Sequence, residues 1–190
     1  MTSLIGITGG IGAGKSVVSH ILGAMGYDVY DTDLQARRIV DTEPKIQSQI
    51  NARIHPRAVV DGVVDRPLIA SVVFADPAAL ERLNTIVHQA VIDDVERWRS
   101  GLTAKWAFVE SAILFQCPLY THIDAAWVVD APADLRIARV QRRSGLTADQ
   151  VAARIAAQSS NPPTDISTQV IINDDNTPIL PQIHRLLAEI

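Results

Sequence analysis

The chain carries a single cysteine, Cys117, so it can build neither a disulfide framework nor a thiolate metal site. That thiol reads as buried or inert. No apolar run approaches the length of a membrane span, and no basic segment precedes the first apolar stretch. The expectation is a cytoplasmic protein with no membrane partner. Basic residues are also scarce: 17 Lys and Arg stand against 21 Asp and Glu, for a formal charge of −4. With no dense basic tract, a nucleic-acid partner is not expected. Internal repeats and low-complexity tracts are absent as well. Nothing in this inventory points away from an ordinary soluble globular fold; 47% apolar and 20% charged residues fit one.

What is present begins at Gly9. The octapeptide Gly9-Gly10-Ile11-Gly12-Ala13-Gly14-Lys15-Ser16 fits the phosphate-binding pattern G-x-x-x-x-G-K-[ST]. It follows a short apolar run at 4–8 that reads as a buried strand, and 16–25 reads as the helix after it. Glycines let the backbone fold so that N–H groups point inward at phosphate oxygens. The helix N-terminus adds partial positive charge, Lys15 reaches the β- and γ-phosphates, and the Ser16 hydroxyl can ligate Mg²⁺. A dinucleotide fingerprint is excluded on spacing, because Lys15 stands where the third glycine of G-x-G-x-x-G is needed. The loop is read as the seat of a nucleoside triphosphate.

Five apolar runs read as strands, at 4–8, 27–31, 106–110, 125–130 and 170–172. They are continuous rather than alternating, as expected when helices cover both faces of a parallel sheet. Between them, Val17, Val18, Ile21, Leu22 and Met25 form one helical stripe; Val87, Val91, Val95 and Trp98 form another. Thr147 with Gln150 makes a capping box before a helix containing Val151 and Ile155. The fold class is therefore α/β, a P-loop NTPase-type three-layer core around a parallel five-stranded sheet. At 190 residues one α/β domain with room for insertions is expected, its core formed by 1–33, 100–132 and 168–190. More than seventy residues separate the second and third strands, too many for one crossover. The segment 34–99 reads as a helical insertion at the sheet edge where ligands bind, on the acceptor side. A second insertion, 133–167, is an arginine-bearing helical hairpin that ends in Ser159-Ser160-Asn161-Pro162-Pro163 and reads as a mobile lid. Residues 179–190 read as a closing helix.

Several side chains could carry chemistry. Asp31 and Asp33, at the end of the second strand, read either as helix caps or, for Asp33, as a base for an attacking hydroxyl. Glu110 ends the third strand, where P-loop proteins often keep an acidic residue for Mg²⁺; the alternative is a structural role. Asp130 closes the fourth strand and, with Ala131-Pro132 after it, reads as a turn residue. Arg136, Arg139 and Arg143 share one helix face, with Arg142 beside it. Arg139 or Arg143 is the expected phosphate contact, and Arg136 reads as part of a solvated face. His88 reads as a packed or solvent-facing histidine.

Taken in order, these residues resemble the dephospho-CoA kinase family. The similarity runs through Thr8 to Ser16, Asp31-Thr32-Asp33, Ala36 to Val40, Asp65-Arg66, Val73 to Pro77 and Leu83 to His88. It continues with Ile113-Leu114-Phe115, Arg139 and Arg143, Arg154 with Gln158, and Ile171-Ile172-Asn173. The resemblance implies transfer of the ATP γ-phosphoryl group to the ribose 3′-hydroxyl of dephospho-CoA. A monomer or weak homo-oligomer is expected. It implies that Thr8 helps set the loop, that Lys15 and Ser16 serve ATP and magnesium, and that Asp33 is the general base. Arg139 and Arg143 would meet phosphates, and Asn173 would lie near the adenine. Four places depart from the family pattern: Gln116 for glutamate, Gln89 for proline, Ser167-Thr168 for Ala-Asp, and Asn161-Pro162-Pro163 where a basic residue is frequent. Other acceptors, such as a nucleoside monophosphate, and a non-catalytic nucleotide switch remain open on the residues alone.

Overall fold

Leu4, Ile5 and Ile7 form the centre of a strand with no exposed face, β1 (Ser3–Thr8), and all three are fully buried. The structure, a computed structural model, describes residues 1–157 and 162–190. Readings placed on Gln158 and on Ser159, Ser160 and Asn161 lie outside the described residues. After β1 come α1 (Lys15–Ala24), β2 (Val29–Asp31), α2 (Thr32–Thr42) and α3 (Pro44–Arg53). A small hairpin follows, β3 (Val59–Val60) and β4 (Val63–Val64), then α4 (Arg66–Ala75) and α5 (Pro77–Ser100). The chain closes with β5 (Trp106–Glu110), β6 (Ala125–Asp130), α6 (Ala133–Ser144), α7 (Ala148–Ala157), β7 (Ser167–Ile172) and α8 (Ile179–Ala188).

The sheet has five strands in the order β2-β5-β1-β6-β7, and the β1–β5, β1–β6 and β6–β7 ladders are parallel. From the central β1 the chain runs to the edge strand β2, steps back to β5, and then crosses β1 to β6 and β7. The C-terminal end of β1 is thus a switch point, where open α/β sheets bind ligands. The register brings Glu110 beside Ile7 and Val128 beside Thr8, so the ends of three strands converge next to Gly9.

Beneath that edge, Phe108 and Trp127 anchor the core with ring centroids 5.1 Å apart, and Tyr27 meets Phe108 edge-on at 5.4 Å. Val18 and Leu22 of α1 and Ile183 and Leu186 of α8 join the same buried cluster. Truncating either central aromatic to alanine would cost about 3–5 kcal/mol, a large share of the ~5–15 kcal/mol that holds a typical domain folded.

Two compact units emerge: Met1–Tyr30 with Leu102–Ile190, and Asp31–Gly101. In the second unit each of three helices starts on an aspartate. Asp31 accepts from the N–H of Leu34 at 3.0 Å, Asp65 from Leu68 at 2.9 Å, and Asp76 from Ala78 at 2.9 Å. Pro67 and Pro77 occupy first-turn positions, where a missing N–H is tolerated. Asp94, 8% exposed, receives Arg38 at 2.8 Å and Arg97 at 2.9 Å, which ties α2 to α5 and neutralises a carboxylate the fold has buried.

Three details differ from the sequence reading. The second strand begins at Val29 rather than at 27. The last strand is longer, because Ser167, Thr168 and Gln169 pair with β6 as part of an edge strand, where polar side chains meet solvent. The β3–β4 hairpin was not expected at all. Its turn, Asp61-Gly62, has φ of 51° and 79°, the geometry that Asp-Gly supplies between flanking Val-Val pairs.

Candidate active site

The loop between β1 and α1 is held open by donors that take its carbonyls one after another. Gly9 O accepts from Lys15 Nζ at 3.0 Å, Gly10 O from the N–H of Ala13 at 3.1 Å, and Ile11 O from Arg136 Nε at 3.0 Å. Gly12 O accepts from Arg139 Nη1 at 3.4 Å, Ala13 O from Asn173 Nδ2 at 2.7 Å, and Gly14 O from the N–H of Val17 at 3.0 Å. A trans peptide sets its N–H opposite its carbonyl. Carbonyls anchored on protein donors therefore fix the orientation of the opposite peptide edges, of which the Ala13 N–H closes the turn.

Gly14 caps α1 in the left-handed region (φ 95°), and Gly12 lies there too (φ 79°), conformations that residues with a Cβ seldom adopt. No side chain caps α1, and no acidic residue stands in its first turn, so the positive end of the helix is left for an external anion. Lys15 is half-buried and Ser16 exposed at that same end. These features fit the phosphate chain of a nucleotide. Among the described residues no group of three or more His, Cys, Asp or Glu could hold a metal ion. A divalent ion there would need phosphate oxygens for part of its shell, the usual habit of Mg²⁺.

The α6 arginines part company with the sequence reading. Arg136, expected on a solvated face, lies against the loop, its guanidinium packed where a Gly10 Cβ would stand. Arg139 is bonded as well: Nη2 donates to the Asn173 carbonyl at 3.0 Å and to its Oδ1 at 3.3 Å, and pairs with the Asp175 carboxylate. Arg143 is exposed on the last turn of α6 and meets no partner among the described residues. Asn173 itself is buried, its amide taken up by the loop and by Arg139. The capping box is present, with Thr147 N–H donating to Gln150 Oε1 at 3.0 Å and Gln150 N–H to Thr147 Oγ1 at 3.3 Å.

In the Asp31–Gly101 unit, the two aspartates separate in role. Asp31 spends its carboxylate on the Leu34 N–H, whereas Asp33 falls in the first turn of α2 rather than at the strand end, exposed and unpaired among the described residues. This unit also contains a cavity of about 390 Å³. Val40, Ile50, Ile69, Val73 and Val87 give it apolar walls, and Arg37, Arg66, Asn84 and His88 supply polar groups. Burial pushes the His88 imidazole below its ordinary value, which favours the neutral ring.

The sequence model of the family described as dephospho-CoA kinase matches residues 3–178. The chain belongs to that family. It is 35% identical over 190 residues to a dephospho-CoA kinase from Bacteroides fragilis, covering 99% of this chain and 93% of that one. A crystal structure from Thermus thermophilus superposes with a TM-score of 0.79 at 34% identity, covering 100% of this chain and 98% of the other. A dephospho-CoA kinase from Campylobacter jejuni shares the fold, with a TM-score of 0.69 at 20% identity over 100% and 97% of the two chains.

Seen as a dephospho-CoA kinase family member, the chain brings Thr8, the loop, Lys15, Ser16, Glu110, Arg139 and Asn173 into one unit. Arg136 was missed as a loop contact. Its spacing of three from Arg139 was the available signal, since both then project from one face of α6.

Proposed function

We propose that the protein is an ATP-dependent kinase that phosphorylates the 3′-hydroxyl of dephospho-CoA, giving coenzyme A. The observation that supports the donor half is the unbroken set of anchored carbonyls from Gly9 to Gly14 ahead of an uncapped helix. Membership of the family along 3–178 supports the acceptor.

The loop amides and Lys15 grip the donor's phosphates and stabilise the charge spread over the transferring group. The Ser16 hydroxyl, with Glu110 as a second candidate, would hold Mg²⁺, which when bound would supply positive charge against the donor's phosphates. Asp33 accepts the proton of the attacking 3′-hydroxyl; its unpaired carboxylate supports that role, where Asp31 is occupied as a cap. Arg139 reaches phosphate by exchanging the Asp175 carboxylate for another anion, and Arg143 adds a second guanidinium. Asn173 fixes the floor of the nucleotide site, with an adenine contact as its further role. The acceptor is assigned to the 31–101 unit, whose cavity pairs apolar walls with two guanidinium groups, a lining suited to an amphipathic anion.

A coupled ADP-release assay across dephospho-CoA, AMP, CMP and pantothenate tests the assignment. ADP release dependent on dephospho-CoA supports it. Release with another acceptor alone, or with none, rejects it.

A further inference from the structure

We propose that Arg136 is a positioning residue that presets the phosphate loop before the nucleotide arrives. Three contacts argue for this, all on consecutive loop residues. The Nε of Arg136 donates to the Ile11 carbonyl at 3.0 Å. Its guanidinium fills the space beside Gly10, where the three atoms nearest a Cβ would all belong to Arg136. Its own backbone closes on Gly12, where a Cβ would stand 2.6 Å from the Arg136 carbonyl oxygen. The helix that presents it is anchored in turn, since the Arg136 N–H bonds Pro132 O at 3.0 Å and Val140, one turn on, is buried.

The physical consequence lies in peptide geometry. Fixing the Ile11 carbonyl fixes the Gly12 N–H on the other edge of the same peptide unit. Loss of that anchor loosens the peptide, and a donor meant for phosphate must then be reoriented when the ligand binds. Preorganisation removes this cost from binding. The guanidinium also keeps a positive charge beside the loop without needing to touch the ligand. A lysine could supply the charge, but not the planar group that packs on Gly10 while its Nε bonds the neighbouring carbonyl.

Gly10 offers an independent probe. Unlike Gly12 and Gly14, it does not have a positive φ, so alanine meets no backbone penalty there. What the new methyl meets is the Arg136 guanidinium. Gly10→Ala should therefore displace the arginine while keeping its charge in the protein.

The proposal rests on the loop being the ATP site, and the experiment separates the two. Binding of Mg²⁺ with the β,γ-imido analogue of ATP is measured by calorimetry for the full-length protein and for Arg136→Ala, Arg136→Lys, Gly10→Ala and the Gly10→Ala/Arg136→Ala double variant. Amide exchange across 10–14 is followed in parallel without nucleotide. Loss of one bond and its packing should weaken binding about tenfold in Arg136→Ala. Exchange in the nucleotide-free loop should rise, and Arg136→Lys should not restore either property. Gly10→Ala alone should match Arg136→Ala, yet add less than about twofold on the Arg136→Ala background, as expected for a coupled pair. Full rescue by lysine, additive losses in the double variant, or unchanged loop exchange would each overturn the positioning role. A parent protein that fails to bind the analogue would overturn the ATP site instead.

Discussion

The side-chain amide of Asn173 donates to the Ala13 carbonyl at 2.7 Å, joining residues 160 positions apart. The bond is buried, and the same side chain accepts from Arg139. Asn173→Ala leaves the Ala13 carbonyl without its donor, which should cost about 1–3 kcal/mol. In a chain of this size each kcal/mol lowers Tm by roughly 2–4 °C. Thermal unfolding with and without ATP checks this: Tm should fall, and the rise produced by ATP should shrink. An unchanged ATP-induced rise would detach Asn173 from the nucleotide site.

Lys15 bonds Gly9 O in the free loop and is the cation we assign to the donor's phosphates. Lys15→Ala should reduce turnover by about 10²–10³-fold and leave Tm nearly unchanged, because the group is only half-buried. Turnover equal to the parent's would mean that ATP does not use this loop.

Asp31 and Asp33 should respond in opposite ways. Asp31→Ala removes a helix cap and should lower stability by about 1 kcal/mol. Asp33→Asn should leave stability and ATP affinity intact but slow single-turnover transfer by about 10²–10⁴-fold. A normal single-turnover rate in Asp33→Asn would reject the base assignment.

His88 should give stability a pH dependence. Its folded-state value is lowered by burial from an ordinary 6.5, so the unfolded chain binds the proton more readily. The His88 contribution is complete above pH 6.5, falls as pH drops from there toward the lowered folded value, and is flat below it. His88→Gln should flatten that part of the denaturation midpoint profile below pH 6.5. An identical profile in the variant would show that His88 does not titrate differently in the two states.

Much of the fold is written locally. Continuous apolar runs with helical stripes between them specify a parallel sheet because period and length are properties of short segments. The Thr147–Gln150 capping box and the Gly9–Ser16 motif are equally local, and the structure contains both. The β3–β4 hairpin went unread although Val-Val-Asp-Gly-Val-Val carries a local signal, because its strands are only two residues each. The polar start of β7 was not legible, because an edge strand needs a burial pattern on one face only.

The sequence by itself determined the glycine-rich loop, the helix that follows it, the five strands of the main sheet, and the family. These follow from spacing, turn chemistry and periodicity, which neighbouring residues settle among themselves. Only the tertiary structure decided which distant side chains hold the loop's carbonyls: Arg136, Arg139 and Asn173 come from more than a hundred residues away. It also decided that Asp31 is a cap and Asp33 is not, a choice made by the exact turn at which α2 begins. Hydrogen bonds reach about 3 Å. Which groups come within that reach is settled by packing the whole chain, and no local pattern encodes it.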